Sequence, residues 1–264
     1  MGSPVQRWLA TVPGLADHEL RIRYARSELY ERDARAAAES LNELCALSEQ
    51  VDVTAQEVLT AFVPVIVDPD HIARLSEIRA QVVSQALPSA SRLLRSSTPA
   101  GHRPPPRAMS DDSAEQAAQA TLTHGDGRPL TLGERRALAR RPTRSTLNKM
   151  MSDPHPMVLR ILLGNPKITE EDVVRMATRR PAVPAVLAEI AKTWTRRARV
   201  RMAVVLNPGA PPAVSVPVLS LLAGHELRQV IRSTQLAAVV RATASEFAAI
   251  RPPPGAVERP SVVH

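Results

Sequence analysis

The sequence predicts an all-α protein, in which a small helical domain precedes a C-terminal right-handed α-solenoid of short helical repeats. Three observations lead there. Apolar residues recur at helical spacings rather than in alternation, prolines collect at spaced helix junctions, and one nine-residue segment returns 42 residues later. Aromatic residues are few, two each of Trp, Tyr and Phe, so the core rests on Ala, Val and Leu, a composition suited to closely approaching helices.

Composition divides the chain into a helical domain over 1–95, a Pro/Ser/Gly-rich linker over 96–130, the repeats over 131–250 and a disordered tail over 251–264. In the first domain Ile22, Ala25, Leu29, Ala37, Leu41, Leu44 and Val51 form an apolar stripe that Asp33 interrupts. Thr54 with Glu57 reads as a capping box for a helix that Pro64 ends. Asp70 is placed to cap the next helix, through Ile72, Leu75, Ile78 and Val82 to a stop near Pro88, giving three or four helices in all. Inside the linker, Ser113 followed by Gln116 would permit one short helix.

The second half is self-similar. Val158 to Pro166 returns as Val200 to Pro208, and the junctions Arg141-Pro142, Asn165-Pro166, Arg180-Pro181 and Asn207-Pro208 each close an apolar helix, with Ser233-Thr234 doing so without a proline. A residue before proline is pushed out of the helical region, so the helix must stop there. Thr169 with Asp172, Pro184 and Pro211-Pro212 are suited to opening the next helices, and Asp153 to capping a helix that begins at Pro154. Each unit buries one face, so Val173, Met176, Val186, Ile190, Val204, Leu219, Leu222, Val230 and Ile231 are the expected shared core. No Asp, Glu, Lys or Arg stands between Arg201 and Glu226, but Pro208, Pro211, Pro212 and Pro217 argue for two buried helices and a turn, not a membrane span.

Val200 to Val214, Val174 to Leu187 and Val158 to Val174 resemble the leucine-rich repeat variant family of bacterial helical repeats, whose units read roughly Val-Arg-x-Ala-Val-Ala-x-Asn-Pro-x-Thr-Pro-x-x-Val-Leu. HEAT-like repeats are close to it in pattern. The downstream proline is missing after Asn165, and the Cys-rich iron–sulfur segment of one known member has no counterpart here. The resemblance implies a superhelical α-solenoid and, since fold does not carry function, no particular activity.

Charge also divides the chain: residues 1–100 carry 10 basic and 13 acidic side chains, residues 131–264 carry 21 and 9. The densest basic run supplies the candidate binding residues Lys192, Trp194, Arg196, Arg197, Arg199 and Arg201, which stacking would join to Arg175, Arg179 and Arg180 as an anion-binding strip. The plainer reading is a solvated outer face with Trp194 as a plug between repeats. The only cysteine, Cys45, lies within a helical stripe, and His124-Gly-Asp126 and Asp153-Pro-His155 sit in turns where Asp caps backbone. No metal-ligand spacing, phosphate loop or nucleophile elbow is found, so neither metal, cofactor nor enzymatic activity is expected. The expected function is a cytoplasmic, non-catalytic scaffold or adaptor for an unidentified protein partner, with no membrane partner. The alternative is a basic module gripping nucleic acid backbone, whose base stacking the scarce aromatics disfavour.

Overall fold

The computed structural model describes residues 3–95 and 128–252, and within them the chain forms fifteen α-helices, one 3-10 turn and no strand. The fold class is all-α. The Ser113 helix, the His124–Asp126 turn and most of the tail lie outside the described residues.

The first half holds six α-helices rather than three or four: α1 (Pro4–Thr11), α2 (His18–Glu31), α3 (Ala34–Glu49), α4 (Val53–Ile66), α5 (Ile72–Ser84) and α6 (Pro88–Leu93). Capping explains the subdivision. Asp33, the interruption in the apolar stripe, is the N-cap that separates α2 from α3, accepting the Ala36 amide at 2.8 Å. Asp52 opens α4 through the Ala55 amide at 2.7 Å, leaving Thr54 inside the helix. Pro64 does not end α4, because it falls in the last turn, where the Val67 amide still reaches the Val63 carbonyl at 3.0 Å. Asp70 is not a cap either; Asp68 accepts its amide across the turn Pro69–His71, and α5 starts without a side-chain cap. Pro88 opens α6, since α5 already stops at Ser84 and Ala86 turns the chain at φ 51°. Trp8 and Phe62, both fully buried with ring centroids 4.7 Å apart, fill the centre.

The second half runs through α7 (Leu132–Arg140), α8 (Arg144–Met150), α9 (Pro156–Leu163), α10 (Glu170–Ala177), α11 (Pro184–Trp194), α12 (Ala198–Val205), α13 (Pro212–Leu219), α14 (Gly224–Arg232) and α15 (Ala238–Ile250). The expected openers Thr169 with Asp172, Pro184 and Pro212 stand at the starts of α10, α11 and α13, and a second capping box, Thr131 with Glu134, opens α7. Asp153 caps no helix at Pro154. It is buried against Arg135 at 2.9 Å, and His155 takes the N-cap of α9. The expected core positions are buried, except Ile231, which is partly covered.

Alternate helices lie side by side. α7, α9, α11, α13 and α15 follow one another in one row, and α10 packs on α12 in the other. Within a row, the ends of four helices are tied to the ends of their predecessors by a side-chain donor. Asn165, after α9, donates to the carbonyls of Ala139 and Arg140 at the end of α7 (3.4 and 3.2 Å). Trp194 Nε1, at the end of α11, donates to Leu163 O of α9 at 3.2 Å, and Asn207, after α12, to Ala177 O and Arg179 O at 2.7 and 3.1 Å. Arg251, after α15, reaches Ser220 O beyond α13 at 2.5 Å. These carbonyls are the acceptors that a helix leaves open at its C-terminus. Both asparagines also accept the amide two residues on, which turns the chain. The loops must approach closely for this: a Cβ on Gly209 would lie 2.8 Å from that of Ala182.

The two halves share a continuous apolar core, in which α4 packs on α11 and α13, and α6 on α13. Two ion pairs flank the seam, Lys192 with Asp68 at 3.0 Å and Arg95 with Glu246 at 2.6 Å. The charge-free stretch forms most of α12, a turn and α13, and no described helix is long and apolar enough to cross a membrane.

Candidate functional site

The nine candidate residues occupy the ends of α10 and α11 and the start of α12, and acids of the same or neighbouring helices reach four of them. Arg199 bonds Glu171 at 2.8 Å, Arg197 stands 4.0 Å from Glu170, and Arg175 stands 3.8 Å from Asp172. Lys192 is drawn inward to Asp68 and Glu189 at 3.0 and 3.1 Å, away from any outer strip. Arg201 turns back onto the carbonyls of Thr195 and Arg196 at 2.9 and 3.3 Å, and burial, opposed only weakly by Glu226, lowers its pKa. Arg180 is held by Gln235 and the Leu206 carbonyl. Among the described residues Arg179 and Arg196 form no ion pair, and they line different hollows.

Helix ends account for much of this arginine. Arg140 and Arg141, Arg179 and Arg180, and Arg196 each follow or close a helix, where a cation complements the negative end of the macrodipole, whereas Arg197 is the N-cap of α12. Trp194 is half-buried, its indole N–H spent on the tie to α9. His18 of the first half lies against the Trp194–Arg197 segment. Burial first, then the positive charges of Arg196 and Arg21, push its pKa down to about 4, so it is neutral at pH 7.

Sequence reasoning placed Asp172 as a helix opener and missed the arginine pairs that the acids of this surface make. Asp172 is fully buried, accepting both terminal nitrogens of Arg144 at 3.0 Å and the Thr169 hydroxyl at 2.8 Å. Burial would raise its pKa, but the bonds from Arg144 and Thr169 outweigh it and hold the carboxyl below its usual value. Arg160 forks onto Glu189 at 2.8 and 3.0 Å. A signal was present. Arg144 and Asp172 are 28 residues apart, Arg160 and Glu189 are 29, and Arg199 and Glu171 are 28, the separation of adjacent helices within a row. Opposite charges at that spacing mark row neighbours.

Cys45 is buried, and burial, with the nearby Glu49 carboxylate, raises its thiol pKa, the reverse of what a nucleophile needs. Among the described residues no three His, Cys, Asp or Glu side chains gather as for a metal ion. No family model, curated protein or solved structure matches this chain.

Proposed function

We propose that this chain is a non-catalytic helical-repeat protein, an α-solenoid of the leucine-rich repeat variant or HEAT-like kind, that serves as a protein-interaction scaffold. The observation that carries the reading is the acid set into the basic run. Glu170 and Glu171 sit beside Arg197 and Arg199, so a phosphate backbone laid along these arginines would meet carboxylates. A protein partner presenting both signs of charge can exchange such pairs one for one. Arg179 and Arg196, which form no ion pair among the described residues, favour the nucleic acid reading only at isolated points.

The test is capture of bound macromolecules on the full chain, with and without nuclease, using the unaltered protein, an Arg196→Ala/Arg197→Ala variant and an Arg199→Glu variant. Scaffold binding predicts proteins retained through nuclease treatment and weakened by Arg199→Glu. Retention that vanishes with nuclease would establish the backbone-binding reading instead. The alanine pair should keep stability within about 0.5 kcal/mol of the unaltered chain, both side chains being exposed.

A further inference from the structure

The seam between the halves encloses space. Behind the 3-10 turn, between α5 and the starts of α11 and α13, lies a cavity of about 510 Å³. Its walls are apolar: Ile66, Ile72 and Leu75 on one side, Ala185, Ala188 and Val214 on the other. Prolines and alanines at the starts of α11 and α13 have little side chain to fill the gap that α5 leaves. Ile72 stays 65% exposed at this opening, although a side chain of its size is ordinarily covered.

Three charged residues line the cavity, and two are already satisfied: Asp68 by Lys192, and Arg95 by Glu246 and the Thr243 hydroxyl. Arg79 is not. Its Nε donates to the Leu94 carbonyl at 2.9 Å, and its two terminal nitrogens have no partner among the described residues. Burial lowers its pKa with no carboxylate to offset the effect, yet a guanidinium remains charged at neutral pH. The Nε bond to a carbonyl fixes the fork, and a fixed fork with both ends free is matched to a carboxylate. The helix starts facing it carry no side-chain caps, so their field has the same sign.

We propose that this cavity binds a small apolar molecule carrying a single carboxylate, the apolar body lying between α5 and the α11–α13 starts and the carboxylate meeting Arg79. Its volume falls within the range of ordinary small-molecule sites, which favour seams between packed units. The occupant would touch both halves, so binding would tighten their junction. The proposal goes beyond the scaffold reading and stands independently of it.

The probe is decanoate, below its micellar concentration, with decanol as its uncharged counterpart, titrated calorimetrically into the full chain. Decanoate should bind at one site, with decanol at least about tenfold weaker, the effect of losing a charged hydrogen-bonded pair. Arg79→Met should weaken decanoate by a similar factor and leave decanol unchanged, while Ala185→Phe, which fills the cavity, should remove both. Circular dichroism melts establish that the variants are folded, and the comparison of the two probes on the unaltered chain needs no variant. No saturable decanoate binding, equal affinity for the two probes, decanoate affinity undiminished by Arg79→Met, or decanoate binding that survives Ala185→Phe in a folded protein would overturn the proposal.

Discussion

The two halves are held together differently although both are helical. In the first, buried carboxylates act as hubs. Glu28 accepts from Trp8 Nε1 at 2.7 Å, from Arg7 at 3.1 Å and from Arg32 at 2.6 and 2.9 Å, joining α1 to the end of α2. Glu49 likewise gathers Arg92 and Ser89 of α6 onto α3. In the second half, donors at the ends of four helices tie them to their row neighbours, with acid–arginine pairs beside them. A hub concentrates the loss when it is removed, whereas end-ties spread it over several separate helix pairs.

The largest expected effect tests the hub. Glu28→Ala leaves the Trp8 indole and the largely buried Arg32 guanidinium without their acceptor, while the exposed Arg7 stays solvated, and breaking a buried pair in this way costs about 3 kcal/mol. Denaturant titration should show a midpoint shift of that size with an unchanged slope. A loss below about 1 kcal/mol would mean that the hub is dispensable and the two halves are held alike.

An end-tie should cost less. Asn207→Leu with Pro208→Ala removes two donated bonds and one accepted bond at a buried junction and lets α12 run on, for about 2 kcal/mol. Thermal melts decide this, and an unchanged melting temperature would remove the end-tie from the account of the array. Hydrogen exchange sharpens the comparison, because the loss should centre on α10 and α12 while α1 to α6 keep their protection.

The seam between the halves responds to pH through His18. Its folded pKa of about 4 lies below the ordinary histidine value of 6.5, so the unfolded chain binds more protons between those two values. Stability from this group is present in full above pH 6.5 and is lost as pH falls toward 4. His18 is partly solvated, so the effect is smaller than the shift alone implies. His18→Gln should flatten that part of the stability profile, while a profile of unchanged slope would remove His18 as its source.

Much of the array was legible in sequence because its junctions are made by residues with narrow conformational uses, Pro at helix starts and Asn-Pro at helix ends. The end-ties themselves were not. Asn165 and Asn207 share a role with Trp194 and Arg251, and a tie needs only a donor long enough to reach a carbonyl, so no single residue type marks it. The helix starts of the first half were misplaced because Asp33 and Asp52 serve as caps inside stretches that periodicity reads as continuous or already begun. The basic run was visible as charge. The pairing of Arg197 and Arg199 depends on Glu170 and Glu171, which meet them only once α10 stacks on α12. The cavity was hidden for the same reason, since Arg79 and Ala185 meet only when the halves close.

The one-sided attachment of the first half also has a mechanical consequence. A stacked array bends by opening or closing the gaps between helices within a row. Here α4 and α6 lie across α11 and α13, and ion pairs pin α11 through Lys192 and α15 through Glu246, so the gaps of that row are bridged from outside. Among the described residues the row of α10 and α12 has no comparable packing of α1 to α6 across it. Curvature should therefore change by fanning of the unstrapped row about the strapped one, as a hinge bends about its leaf, rather than by uniform stretching of a spring.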